Sequence, residues 1–206
     1  MLLRLIYITA FFNIALGYVQ ELSLFTEIGL EGNEFIFRSK EPDITAYSAL
    51  LRDVKSLCYK GHWKGYSATN YTSDLTFTYT SVSGTQVCLN RTIPETLSFR
   101  HHGPSDPTAP SVSIYSGVPG NAHGGMERTF TGLAANNFDF VPTALILTGR
   151  SSWTGFFNND FSGNSTCYST AELIGWVYMY GNVVRSIVQG CNPIHESDYF
   201  DVDKSL

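Results

Sequence analysis

Short stretches in which apolar and polar residues alternate recur along the chain. Residues 22–25, 34–37, 75–79, 111–115 and 144–147 each follow a period of two and are rich in branched and aromatic residues. Runs of this length, separated by Gly, Asn and Ser, predict β-strands joined by hairpins, and many at close spacing predict a sandwich. Residues 171–180 hold a possible helix, although Trp176, Tyr178 and Tyr180 suit a strand or turn equally well. The longest break in the pattern is 100–110, with Gly103 and three prolines, Pro104, Pro107 and Pro110. Such a stretch predicts an extended spacer, with the adjacent His101 and His102 in solvent. It divides the chain into two parts, each long enough for its own core.

The N-terminus breaks the pattern differently. Arg4 precedes an apolar run over 5–16, and Ala15 and Gly17 are small residues at −3 and −1 of a cut after Gly17. That is the form of a secretory leader over 1–17, too short to span a bilayer as a helix. No later stretch is apolar enough to anchor the chain, so the sequence predicts a secreted, extracellular protein without a membrane anchor. Four cysteines fit an oxidising compartment: Cys58, Cys88, Cys167 and Cys191. Three pairings are open to them, of which Cys58–Cys88 with Cys167–Cys191 is preferred because each bridge closes a loop within one half. Asn70, Asn90 and Asn164 each open an N-x-[ST] sequon, so glycosylation on surface loops is expected.

Composition narrows the function. Aromatics are 14% and charged residues only 15%, which excludes a disordered chain. Thirteen Lys and Arg face eighteen Asp and Glu, so no basic surplus exists for nucleic acid.

The two halves repeat one another. Trp63, Gly65, Tyr66, Tyr71 and Ser73 recur as Trp153, Gly155, Phe156, Phe161 and Gly163 at a constant offset. Phe25, Leu30 and Gly32 echo the same spacing, and Tyr115 with Gly124 or Gly125 echoes it loosely with an insertion. The string Val54-Lys55-Ser56-Leu57 recurs as Val184-Arg185-Ser186-Ile187. A hairpin folded back over its sheet needs a glycine-like backbone at its turn, a ring to cover it, and a serine to bond its free amides.

These residues resemble the signature of the βγ-crystallin family, [YFW]-x4-[YF]-x-G with a later serine. The motif of Phe156, Phe161 and Gly163 matches fully. Ser73 replaces the glycine in the motif of Tyr66 and Tyr71, and Leu30 replaces the second aromatic in that of Phe25. The resemblance implies an all-β chain of two Greek-key β-sandwich domains, over 18–100 and 111–195, with a Pro-rich linker at 101–110 and an acidic tail at 196–206. An immunoglobulin-like pair is the competing sandwich, but Trp63 follows Cys58 by only five residues, not the immunoglobulin spacing.

Many members of that family bind calcium through [ND]-[ND]-x-x-[ST]-S. The corresponding strings here run from Arg52 to Leu57 and from Gly181 to Ser186, each keeping two ligand-type residues and each holding an arginine. No metal or other cofactor is therefore predicted, and a calcium-binding protein is an alternative only. His123-Gly124-Gly125 resembles an esterase oxyanion loop, but no G-x-S-x-G string accompanies it. The expectation is a non-enzyme with no catalytic residue, an extracellular structural or binding module. A toxin, inhibitor or effector on the same scaffold is the second expectation. Its partner would be an unknown extracellular protein or glycan.

Overall fold

The computed structural model describes residues 18–191 and the backbone of 199–201; the expected leader and most of the acidic tail lie outside them. The first half contains β1 (Glu21–Phe25), β2 (Glu34–Phe37), a short helix α1 (Ser48–Asp53), β3 (Ser56–Tyr66), β4 (Leu75–Ser81), β5 (Val87–Leu89) and β6 (Ser98–His101). β3 is long enough to serve two sheets. Its first residues pair with β1 and β5, and its last with β4 and β6. The crossover lies at Gly61, whose φ is +92° and where a Cβ would stand 2.2 Å from Gln20 Oε1. One sheet therefore runs β2-β1-β3-β5, and the other runs β4-β3-β6 with Glu41 bridged to Phe99 at its edge.

The second half contains β7 (Ser111–Tyr115), β8 (Glu127–Phe130), β9 (Ala134–Asn136), β10 (Ala144–Thr148), β11 (Ser152–Phe156), β12 (Ser165–Ser169), β13 (Ile174–Tyr178) and β14 (Ser186–Gln189). Its sheets run β8-β7-β10-β13 and β12-β11-β14-β9. β9 and β13 each leave their neighbours in sequence to complete the opposite sheet, as β5 does in the first half. Each half is thus a Greek-key sandwich, and among the described residues the fold is all-β apart from α1 and two single 3-10 turns. The segment that left helix and strand open is the strand β13. β15 (Tyr199–Asp201), within the expected acidic tail, lies parallel beside β12.

The cores follow the alternation. Trp63 faces inward with Leu24, Leu57, Phe77 and Phe99, and Trp153 faces inward with Val112, Leu145, Tyr168 and Ile187. Cys58–Cys88 joins directly opposed residues of β3 and β5, and Cys167–Cys191 ties β12 to the end of β14. Each bridge lies within one half. Loops of this length contribute about 3–4 kcal/mol each.

Three hairpins fold alike. Eight residues separate the strands in each: 26–33, 67–74 and 157–164. The backbone is left-handed at Leu30 and Gly32 (φ 68° and 80°), at Tyr71 and Ser73 (60° and 64°), and at Phe161 and Gly163 (60° and 85°). Rings stack edge-on across two of them, Tyr66 with Tyr71 at 5.9 Å and Phe156 with Phe161 at 6.4 Å. A serine locks each from the following motif strand. Ser56 Oγ donates to Glu27 O and accepts from Leu30 N; Ser186 Oγ donates to Asn158 O and accepts from Phe161 N. Ser98 does the same for Ala68 O and Tyr71 N. Ser186→Ala orphans one N–H and one C=O together, so a loss of ~1–3 kcal/mol is expected in chemical denaturation. Ser56→Ala should do the same in the first half.

Candidate functional site

The second half covers the outer face of β3 and β6. Strand alternation turns His62, Lys64 and Tyr66 of β3 outward, together with Arg100 of β6 and the following His102. On the other side Tyr115 of β7, Glu127 of β8, Ile146 of β10, and Trp176 and Tyr178 of β13 turn outward to meet them. The result is a buried seam, polar on the first half and aromatic on the second. His101 and His102 are 4% and 0% exposed, not solvated. His101 belongs to β6 and lies edge-on to Trp63 in the first core, so the spacer starts beyond it. The packing partner that buries this stretch is remote in sequence, and local composition carries no trace of it.

The β7–β8 connection supplies the remaining pieces. It has eleven residues (116–126), three more than the other hairpins, and the surplus reaches across to the first half. Asn121 Nδ2 donates to Ser73 O at 2.8 Å, and Gly125 N donates to Tyr71 O at 3.1 Å. This connection carries His123 into the seam. Its lock is Thr143, whose Oγ1 donates to Ala122 O at 2.7 Å.

Arg100 is the centre of the seam. Its guanidinium lies 4.3 Å from the Tyr71 ring centroid and 5.0 Å from that of Tyr115. It donates to Gly125 O at 3.0 Å and to His123 O, and stands 3.8 Å from Glu127. Glu127 also pairs with Lys40 at 2.6 Å and accepts from Tyr115 at 2.8 Å and Gly103 N at 3.1 Å. One carboxylate thus serves two cations, while among the described residues the buried Lys64 has one hydrogen-bonding partner, His123 Nδ1 at 3.1 Å.

The three seam histidines stand close together. His102 Nε2 lies 3.1 Å from Tyr66 Oη, His62 Nδ1 lies 2.8 Å from Thr80 Oγ1, and the His62 ring stacks on Trp176 at 5.3 Å. Burial depresses all three, joined by the charge of Lys64 at each and, at His102 and His123, by Arg100 and the neighbouring histidines. His62 falls to about 3, while His102 and His123 lie well below the ordinary histidine value. Burial likewise pushes Lys64 down to about 8 and Tyr66 up to about 12.

The chemistry open to this arrangement is narrow. Thr80 beside His62 forms a hydroxyl–imidazole pair, but among the described residues His62 Nε2 has no partner to orient the ring as a base. An oxyanion loop at His123-Gly124-Gly125 would need free amides. Gly124 N donates to Asn121 O and Gly125 N to Tyr71 O, so both are occupied. Among the described residues, no three His, Cys, Asp or Glu side chains converge on a metal-sized point. The calcium-type strings lie elsewhere, and their serines Ser56 and Ser186 are held in the hairpin bonds above. Where the seam meets solvent it opens into a cleft of about 570 Å³, lined by Lys40, Tyr71, Arg100, Met126, Glu127 and Thr129 among others.

Among solved structures, the chain is similar to Geodin, a beta-gamma crystallin from Geodia cydonium. The TM-score is 0.55 at 17% identity, over 84% of this chain and 99% of that one. The fold is that of the βγ-crystallins. No family model matches the sequence, and no curated protein matches it either. The βγ-crystallin fold therefore stands on strand order and hairpin geometry, not on sequence likeness.

Within this βγ-crystallin fold, Phe25, Gly32, Tyr66, Tyr71, Phe156, Phe161 and Gly163 lie in or beside the folded hairpins, while Trp63 and Trp153 lie in the two cores. These residues build the scaffold and do not converge on one site, although Tyr71 also lines the cleft. Asn70 is exposed in the β3–β4 hairpin, Asn164 is exposed just before β12, and Asn90, also exposed, follows β5. Of the seam residues, the sequence raises His123 only as part of an oxyanion-type string and Tyr115 only as a loose hairpin motif, while His62, Lys64, Arg100 and Glu127 carry no site signal. On β3 the alternation marks His62, Lys64 and Tyr66 as outward, which was the available signal, but an outward polar face reads as solvated.

Proposed function

We propose that this chain is a secreted, non-enzymatic module of βγ-crystallin fold that works outside the cell as a structural or binding unit, independently of calcium. The observation that carries the reading is the seam. Its charged and hydrogen-bonding side chains are tied to one another across the two halves, fixing two cross-linked sandwiches as one body. One disulfide within each sandwich and three exposed sequon asparagines support the extracellular setting. Among the described residues no helix is long and apolar enough to cross a membrane. The cleft beside Tyr71 and Arg100 is the natural face for an extracellular protein or glycan, since it offers an aromatic ring, cations and hydroxyls together.

The test is expression of the full chain in a eukaryotic secretory cell. The expected product is a medium-borne protein that starts after Gly17, has no free thiol, and does not turn over ester and glycoside substrates. Retention in the cell, or turnover of such a substrate, would overturn the reading. Calcium gives a separate check. A micromolar site would stabilise by about 4 kcal/mol at millimolar calcium, and the expected result is an unchanged thermal midpoint with calcium or with chelator.

A further inference from the structure

The chain has five histidines, and four of them, His62, His101, His102 and His123, are buried around the seam. Three form a triangle, with ring centroids 5.1 Å apart for His62 and His102, 5.3 Å for His102 and His123, and 6.3 Å for His62 and His123. The groups facing them come from every element packed there. β3 gives Lys64 and Tyr66, β4 gives Thr80, and β6 gives Arg100. Tyr71 comes from the hairpin, Tyr115 from β7, Glu127 from β8, and Trp176 and Tyr178 from β13, with Lys40 at the rim. Glu127 is the one carboxylate in this set, and Lys40, Arg100 and Tyr115 already engage it. Among the described residues no carboxylate pairs with a histidine. A proton on any of the three rings is therefore a further buried positive charge beside Lys64 and Arg100, with no counter-charge to meet it.

The seam is also the place where the molecule can part. Each sandwich has its own core and its own disulfide, and between β6 and β7 the chain crosses once, through the Pro-rich stretch 102–110. We propose that the seam is an acid-operated latch: protonation of His62, His102 and His123 drives the two sandwiches apart, each still folded, and uncovers the face of Ile146, Ile174, Trp176 and Tyr178.

The direction follows from the closed state's reluctance to protonate. Between the depressed values of the closed seam and an ordinary pKa of about 6.5 in the open one, the open form holds more protons. Closure is thus complete above pH 6.5 and is lost progressively as pH falls below it. At pH 5, releasing His62 from about 3 to an ordinary 6.5 multiplies the open-to-closed ratio by about 30, and His102 and His123, depressed in the same direction, push it further the same way. His101 faces the first core, against Trp63 and Gln20, and is not part of the latch.

The experiment uses the full secreted chain, with small-angle scattering and limited proteolysis at 102–110, from pH 7.5 to 4.5. The expected result is a reversible rise in radius of gyration and at least tenfold faster cleavage near pH 5, with an unchanged β-sheet circular dichroism signal. Both changes should vanish in the triple variant His62→Gln, His102→Gln, His123→Gln, which keeps His101. The proposal falls if the native chain stays compact, if the triple variant opens equally, or if strand signal is lost as the molecule expands. Should the triple variant not fold, the histidine ring resonances of the native chain decide. Titration at the scattering midpoint supports the latch, and titration without expansion removes it.

Discussion

Truncating either core tryptophan to alanine is expected to cost about 3–5 kcal/mol, and the two losses should fall on different halves. Trp63 and Trp153 are both fully buried. Trp63 packs edge-on against Phe99 at 6.1 Å, and its indole N–H donates to Lys60 O at 2.9 Å. Trp153 sits among Val112, Leu145 and Tyr168, and its N–H donates to Ser151 Oγ at 2.9 Å. Removing the indole leaves a void in a sandwich too small to collapse around it, and it orphans an acceptor as well. Because the cores are separate, Trp63→Ala should expose amides of β1, β3 and β6 to hydrogen exchange before those of β10 and β11, and Trp153→Ala should reverse the order. Equal exposure of both halves in either variant would show that the seam couples them into a single unfolding unit.

How much of this was legible in the sequence depends on distance along the chain. Aromatic and glycine positions of the hairpins repeat at a fixed spacing, so the fold class, the duplicated halves and the hairpin role of Ser56 and Ser186 could be read directly. Ser98 escaped because its string, Leu97-Ser98-Phe99, lacks the preceding valine of the other two. Thr143 escaped because it is a threonine whose hydroxyl only donates, to Ala122 O, and its hairpin is three residues longer. Those three residues turned out to matter, since they carry His123 and Asn121 across to the first half. The seam was hidden for a different reason. A period of two reveals which side chains leave a strand together, but not whether water or another sheet receives them. His62, Lys64 and Arg100 look like solvated polar positions until the second sandwich is placed over them. The prolines of 100–110 likewise mark a crossing point without showing that His101, His102 and Gly103 are buried at its mouth.

Glu127 is the residue on which the seam's charge balance turns, and Glu127→Gln is expected to destabilise the protein by about 3–5 kcal/mol. The carboxylate is 7% exposed and stands between Lys40 and Arg100, with Tyr115 and Gly103 donating to it. A glutamine keeps the size and one acceptor oxygen but removes the charge, leaving Arg100 buried between the rings of Tyr71 and Tyr115 with two backbone carbonyls and no anion. The cost comes from that stranded cation more than from any single lost hydrogen bond, and the way to see this is to remove the cation as well. Arg100→Met with Glu127→Gln takes both charges out and fills the space between the rings with an apolar chain. The double variant should recover much of the loss, and a cycle built from the two single variants should show strong positive coupling between the sites. Additive losses would mean that Glu127 acts mainly through Tyr115 and Gly103, as a brace for the start of the spacer and not as a counter-charge.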